Sequence, residues 1–409
     1  MTSPQGFTVA EAVERFVAGL SVLEAVDLPL NDALGRVLAE PVLAQQPVPD
    51  SPRSAVDGWA VRASDTDGAS PDRPVRLCII GSALAGHPSR TSLESGEAVR
   101  ITTGGVLPAG ADAAEYQEVC TVEGGTLLLH RPVQVGANIR QLGEDIRPGQ
   151  ELLASGTRLR PEAIGLLAAL GEGRVRVRRP LRVRFVSTGD EIVRLGEDRP
   201  SGGTYDSNSL QIGAHLKKLG AKVEFRGPVP DTTEGLAVAC DGDDYDFLIT
   251  SGGVSVGPAD RIGEVGNMLG AEVRFHWARM RPGAPTMGLR LHGRPWLGLS
   301  GNPLSAQVGF DLFGRAAVAR LLGTGVPTLV AQARLVESFR GKPPDAPRYL
   351  RASLRVRGAE LEALVHPYQS SGGVRAMAQT NGYVLQPEGV GELTSGSLVE
   401  VLLVLNVKP

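Results

Sequence analysis

The sequence predicts an α/β plus β protein: an elongated multi-domain chain with a doubly wound, mostly parallel α/β domain, a small inserted β domain and a C-terminal β-barrel-like domain. Three observations predict it. From Leu181 onward, short β-branched runs alternate with helix-length segments, the pattern of successive βαβ units. Residues 62–145 instead carry short alternating runs between turn residues, and from Pro327 the chain returns to short strands and turns. A length of 409 residues suits about two to four domains, and Gly 52 with Pro 29 implies many tight turns. The expected division is 1–45 with 146–180 as a discontinuous helical and linking domain, 46–145 as the inserted β domain, 181–325 as the α/β domain and 326–409 as the terminal β domain.

Thr8 followed three residues later by Glu11 makes a capping box, and Val9, Val13, Phe16, Val17 and Leu20 recur at helical spacing. A first amphipathic helix is therefore expected, with a second, shorter one over Asn31 to Leu38. From Pro41 to Arg53 four prolines hold the chain extended. Asp57-Gly58 then marks a turn before an apolar strand; a plain turn is the competing reading for this carboxylate. Val75, Leu77 and Ile79 alternate as a strand, and Leu127 to Leu129 form another. Gly96 to Gly105 is a strand ending in Thr-Thr-Gly-Gly, which suits an anion or merely shapes a turn. Pro161 to Leu170 reads as a helix stopped by Gly171, and Val175 and Val177 alternate with arginines as an exposed strand.

In the α/β section, Val183 to Val186 leads to Ser187-Thr188-Gly189-Asp190-Glu191, and a helix from about Ser209 ends at Gly220. A strand through Val223 and Phe225 reaches Asp231, which stands as a helix cap with Glu234 behind it. The stretch Asp246 to Asp260 is the centre of the domain. Its first half is a buried strand; its second half holds Ser251, Gly252, Gly253, Ser255 and Gly257, with Asp260 at the cap of a helix over Arg261 to Leu269. Strand, glycine loop and helix N-terminus surround a concave spot with free N–H groups, which favours an anion. The loop has neither the Lys-Ser/Thr ending of a P-loop nor the GxGxxG spacing, which sets aside a dinucleotide-dependent dehydrogenase. A strand through Val273 and Phe275 follows, then Trp296 to Leu299 and a helix to about Leu322, with Asn302 as cap and Pro303 in its first turn. A parallel sheet gathers such strand ends on one edge, so Asp190, Glu191, Asp231 and Asp260 are expected to converge. Carboxylates beside anion-binding amides suggest a hard, Mg²⁺-like cation bridging to an oxyanion; helix capping is the competing reading for Asp231 and Asp260.

Composition narrows the function classes. A net charge of −3 and 4% aromatic residues argue against nucleic acid and acidic membranes as partners. Cys78, Cys120 and Cys240 form no CxxC pair and suit a reducing compartment. No signal pattern or membrane-length run is present, so a soluble cytoplasmic protein is expected. The only lysines are Lys217, Lys218, Lys222, Lys342 and Lys408; arginine carries the remaining basic charge.

The motifs together closely resemble the molybdopterin molybdenumtransferase family, MoeA and the E domain of gephyrin. They are Ser-Ala-Val-Asp-Gly-Trp-Ala-Val (54–61), Gly-Glu-Ala-Val-Arg-Ile-Thr-Thr-Gly (96–104), and Ala-Asn-Ile-Arg with Gly-Glu-Asp-Ile (137–146). They continue with Ser-Thr-Gly-Asp-Glu (187–191), Tyr-Asp-Ser-Asn (205–208), Ser-Gly-Gly-Val-Ser-Val-Gly (251–257) and Gly-Asn-Pro-Leu-Ser-Ala (301–306). The resemblance implies insertion of molybdate into adenylylated molybdopterin with Mg²⁺-dependent release of AMP. It also implies a homodimer with its active site at the subunit interface, and other molybdenum cofactor biosynthesis proteins as possible partners. It assigns catalytic roles to Asp57, Thr103, Glu191, Asp231 and Asp260, and a metal site to Asp190, Glu191, Asp231 and Asp260. Binding falls to Arg140, Asp145, Ser187, Thr188, Gly189, Ser251, Gly252, Gly253, Ser255, Gly257, Arg281, Pro282, Gly283, Gly301, Asn302, Ser305 and Arg351.

Several positions depart from the family pattern. Val56 replaces a methionine and Ser300 a proline, while Trp277, Arg281 and Ala284 replace lysines of the basic strand and turn. A serine pair of the terminal domain falls on Arg375 and Ala376. Arg281 is expected to be the main cation left at the oxyanion site of an active transferase. A non-catalytic relative that binds molybdopterin or a partner protein, as carrier or scaffold, is the alternative.

Overall fold

The computed structural model describes residues 6–254, 261–325 and 329–404. Helix α1 (Val9–Val17) begins as its capping box dictates: the Glu11 amide donates to Thr8 Oγ1 at 3.3 Å and the Thr8 amide to Glu11 Oε2 at 2.9 Å. Its apolar face buries Ala12 and Phe16, the latter with its ring edge-on to Phe275 at 5.9 Å. The expected helix over 31–38 is absent; only a 3₁₀ turn, Leu30–Asp32, forms there. Gly35 takes φ +75°, and the Gly35 and Leu38 amides donate to Leu159 and Thr157, so extended pairing replaces the helical ladder. Ala25–Pro29 pairs antiparallel with Arg174–Arg178. Contrary to the exposed strand expected, Val175 and Val177 of that segment are buried.

The chain divides into two compact units, Pro41–Ala154 with Ala169–Gly171 in one and the remainder in the other. The first holds a six-stranded sheet of β1 (Gly58–Val61), β2 (Val75–Ala83), β3 (Glu97–Ile101), β4 (Ala113–Tyr116), β5 (Cys120–Glu123) and β6 (Thr126–Leu129). Its order is β4-β1-β3-β2-β6-β5, antiparallel except between β2 and β3. Helix α2 (Pro161–Ala169) ends before Gly171 as expected.

The second unit carries β7 (Arg182–Thr188), α3 (Ser207–Lys218), β8 (Lys222–Val229), α4 (Thr233–Cys240), β9 (Phe247–Ser251) and α5 (Arg261–Met268). It continues with β10 (Glu272–His276), β11 (Met287–Leu291), β12 (Arg294–Leu299), α6 (Pro303–Gly309) and α7 (Arg315–Leu322). The sheet order is β8-β7-β9-β12-β11-β10, with the first four strands parallel. The strands bury both faces. Phe185, Phe247 and Ile249 pack with Ile212 and Leu216 of α3, while Val186, Leu248 and Trp296 pack with Leu236 of α4 and Ile262 of α5. This is the doubly wound arrangement, and it explains why β9 reads as an unbroken apolar run. The helix expected to continue to Leu322 is interrupted by a π turn, Phe310–Gly314, between α6 and α7. Strands β13 (Leu329–Leu335), β14 (Arg348–Arg357), β15 (Glu360–Val365), β16 (Gly382–Gln386) and β17 (Leu398–Leu403) close a barrel. No helix among the described residues is long and apolar enough to cross a membrane.

An ion cluster anchors the start of β9. Asp246 accepts from Arg179 at 2.6 and 2.9 Å and from the Arg182 amide at 2.8 Å. Burial raises the Asp246 pKa, but these donors outweigh it and hold the carboxyl below its usual range. The resulting stabilisation is present above the unfolded carboxyl pKa, about 3.9, and is lost as pH falls through the lower folded value. Asp246→Asn should therefore lower the urea midpoint at neutral pH and flatten its acid decline below pH about 4. An unchanged acid limb would reject this.

Candidate functional site

The chain order of the parallel strands reverses at β7, which has β8 on one side and β9 on the other. The crevice outside the carboxyl ends at such a switch point is where open α/β sheets hold ligands. Register places these ends together: Ser187 pairs with Ser251, Thr188 with Val229, and Ser251 with Leu299. Ser187, Thr188, Ser251 and Ser305 are buried there. Gly252, at φ +101°, would bring an added Cβ within 2.3 Å of the Thr188 carbonyl oxygen, so this close approach requires glycine. The Gly252 amide donates to Leu299 O at 3.0 Å, and the Ile262 amide to Gly253 O at 3.2 Å.

Three carboxylates border this edge. The Asp231 amide donates to Asp190 Oδ1 at 3.2 Å, and the Thr188 hydroxyl to Asp231 Oδ1 at 3.4 Å. An added Cβ at Gly189 would stand 2.8 Å from Glu191 Oε2, so that carboxylate folds back over the same turn. Asp190, Glu191 and Asp231 have no ion-pair partner among the described residues. The helix cap expected of Asp231 belongs to its neighbour: Thr232 Oγ1 accepts from the Gly235 amide at 3.2 Å. Asp231 is thereby left without a capping role. Ser255, Gly257 and Asp260 lie outside the described residues.

Asn208 was not singled out from the sequence, although it ends the Tyr-Asp-Ser-Asn motif. Its Nδ2 donates to Ser251 Oγ and to Gly301 O, both at 2.8 Å, tying the two glycine loops together from the base of α3. Asp206, two residues earlier, caps that helix through the Ser209 amide at 3.0 Å. The motif is thus a cap followed by a clamp. Asn302 occupies the cap position of α6 with Pro303 behind it, but its side chain makes no capping bond; the Leu304 amide donates instead to Ser371 O at 3.0 Å.

Beyond this edge, the 281–285 turn, Ser300, Asn302, Ser305 and the barrel residues Arg348–Leu350, Gln369 and Ser371 enclose a cleft of about 500 Å³. Pro282 follows Arg281 through a cis peptide, and Gly283 takes φ +92° with Ser305 O only 3.1 Å from where its Cβ would lie. Arg281 forms a fork with Asp345, at 3.1 and 2.7 Å. That hydrogen bond raises the guanidinium pKa and lowers that of the carboxyl. Arg279 pairs likewise with Glu388 at 2.6 Å. Both arginines of the altered basic strand therefore carry a carboxylate partner. Ala284 is buried. Arg351 is 2% exposed and donates to the Gly373, Tyr368 and Ser370 carbonyls, pinning the 368–373 loop; burial pushes its pKa down.

Asp57, Thr103, Arg140 and Asp145 belong to the other compact unit. There the Thr103 amide donates to Asp57 Oδ1 at 2.8 Å, which joins the two motif turns. Arg140 pairs with Glu144 at 2.7 Å, and the Asp145 amide donates to Val48 O at 3.1 Å.

Comparison with known proteins covers the same segments. Residues 7–171 match the profile of the MoeA N-terminal region (domain I and II), residues 184–322 that of a probable molybdopterin binding domain, and residues 332–404 that of the MoeA C-terminal region (domain IV). The Bacillus subtilis molybdopterin molybdenumtransferase is 36% identical over 97% of this chain and 94% of its own length. The Staphylococcus aureus (strain COL) protein of the same name is 32% identical over 97% and 95%. A crystal structure of a molybdopterin biosynthesis MoeA protein from Pyrococcus horikosii superposes with a TM-score of 0.86 at 32% identity, covering 98% of this chain and all of that one. With near-complete relatives of that identity and three profiles in the same order, the chain belongs to the molybdopterin molybdenumtransferase family.

Proposed function

We propose that the protein inserts molybdate into adenylylated molybdopterin and releases AMP, a transferase step of molybdenum cofactor biosynthesis. The observation that carries this reading is the switch-point edge itself, where three carboxylates without basic partners stand beside glycine loops. Both substrates are oxyanions, and phosphoryl chemistry of this kind needs positioning and charge neutralisation more than a covalent nucleophile. The 187–191 and 251–253 turns border the phosphate oxygens, and Asn208 fixes the spacing between the 251 and 301 loops. Pro282, Gly283, Asn302 and Ser305 line the second half of the binding surface, where molybdate and the dithiolene meet, with Arg281 tied to Asp345 at its margin.

Mg²⁺ fits the donor set. Asp190, Glu191 and Asp231 offer only oxygen, the ligand Mg²⁺ prefers, and an ion that keeps waters needs only one or two carboxylates plus substrate oxygens. Among the described residues no three acidic, histidine or cysteine side chains come close enough to hold an ion by themselves, so in this reading the substrate oxygens complete the coordination. When bound, Mg²⁺ would neutralise charge on the phosphate of the leaving adenylate. In the same reading the protein works as a cytoplasmic homodimer, with Asp57, Thr103, Arg140 and Asp145 of one copy completing the α/β site of the other. Sedimentation at micromolar concentration should give a dimer; a monomer would remove this part of the reading. Incubation with adenylylated molybdopterin should release AMP only when molybdate and Mg²⁺ are present. Tight molybdopterin binding without AMP release would favour a carrier role.

A further inference from the structure

The oxyanion cleft between the 281–285 turn and the barrel has two arginines on its wall, Arg281 and Arg348, and no carboxylate. The two are not equivalent. Arg281 is held by the fork from Asp345, so its charge is largely cancelled before any ligand arrives. Arg348 makes no direct ion pair among the described residues, although its charge also helps lower the Asp345 pKa from a distance; its one described side-chain bond is a 3.4 Å contact from Nη1 to Gln386 Oε1. Backbone pairing fixes it beside the turn: the Arg281 amide donates to Pro347 O at 2.9 Å and the Tyr349 amide to Arg281 O at 2.8 Å. Strand β14 therefore presents Arg348 into the wall where Ala284 offers no charge.

We propose that Arg348 is the principal cation for the tetrahedral oxyanion in this cleft, replacing the charge absent at Ala284, with Arg281 acting mainly to hold the barrel against the turn. The inference rests on the transferase reading and deepens it. A guanidinium whose donors are not held in a carboxylate fork can offer two parallel N–H donors to one oxyanion, whereas the Nε and Nη2 donors of Arg281 are already taken by Asp345. The oxyanion is either molybdate or the phosphate of the adenylate, and separate titrations distinguish them.

The test is calorimetric titration of the full-length protein with molybdate and, separately, with AMP, both with Mg²⁺ present. Arg348→Ala should weaken one of the two by about 10- to 150-fold, the loss expected for one charge-assisted contact. Arg348→Lys should recover much of that loss, and Arg281→Ala should change either affinity by less than about 3-fold, no more than a weak neutral hydrogen bond contributes. The titrant that responds identifies the oxyanion. Unchanged affinities in Arg348→Ala, or the larger loss in Arg281→Ala, overturn the assignment while wild-type molybdate-dependent AMP release still supports the transferase reading. A wild-type protein that releases no AMP overturns that reading and this inference with it.

Discussion

Asp231→Asn should cut the rate of molybdate-dependent AMP release by about 10²- to 10³-fold, the loss typical of deleting one preorganised charge at a reacting centre. The same variant should unfold at the wild-type midpoint. The separation follows from the local geometry. The helix cap at this turn is Thr232, so Asp231 contributes nothing to capping α4, and its only described side-chain bond is the long one from Thr188. Asparagine keeps the size of the side chain and its acceptor oxygen, and removes the charge alone. If the Asp231 carboxylate shares a cation with phosphate, its loss should also raise the Mg²⁺ concentration needed for half-maximal rate. Thr232→Ala gives the converse result: about 1 kcal/mol of stability lost with the cap and little change in rate. An Asp231→Asn protein that is fully active, or one that is inactive only because it no longer folds, would defeat the proposal.

The off-by-one between Asp231 and Thr232 shows what the sequence displays and what it hides. Local devices were legible. The Thr8–Glu11 box, the stop at Gly171 and the strand–helix alternation from Leu181 all depend on neighbours within one turn, and each forms as expected. Two adjacent capping residues compete, and the winner depends on backbone angles at the end of β8 that spacing does not encode. The missing helix over 31–38 has a similar origin. Its residues tolerate a helix, but partners at Thr157 and Leu159, more than a hundred positions away, take their amides. The pairing of charges is hidden for the same reason. Arg281 looks like a lone cation in its turn, and Asp345, 64 residues on, cancels it. Arg351 sits where the resemblance expects a binding residue, yet its guanidinium holds a loop through three carbonyl oxygens. Motif and alternation therefore point to the edge of the sheet, while which charges in the cleft are paired depends on contacts distant in sequence.

Asp311→Ala should destabilise the protein by about 3–5 kcal/mol, the range for removing one member of a buried ion pair. Asp311 is 1% exposed, inside the π turn between α6 and α7, and accepts from Arg315 Nε at 2.7 Å, Gln307 Nε2 at 2.8 Å and Tyr383 Oη at 2.8 Å. Alanine would leave a nearly buried guanidinium and a fully buried phenol without their acceptor, which costs more than the bonds themselves contribute. Tyr383→Phe removes only one of three donors and should cost about 1 kcal/mol. The pair also bears on the site. Tyr383 lies on β16 directly opposite Arg351 of β14, the strand that carries Arg348 into the cleft, and Asp311 continues the helix that begins at Asn302. The Asp311–Tyr383 bond thus ties the helical segment that follows Asn302 to the barrel strand paired with β14. Tyr383→Phe should accordingly weaken oxyanion binding by a few-fold while leaving the fold intact, a combination that a purely structural bond would not give. Chemical denaturation of both variants, with oxyanion titration of the milder one, checks the two claims separately; a loss below about 1 kcal/mol in Asp311→Ala would show that the network relaxes around the gap.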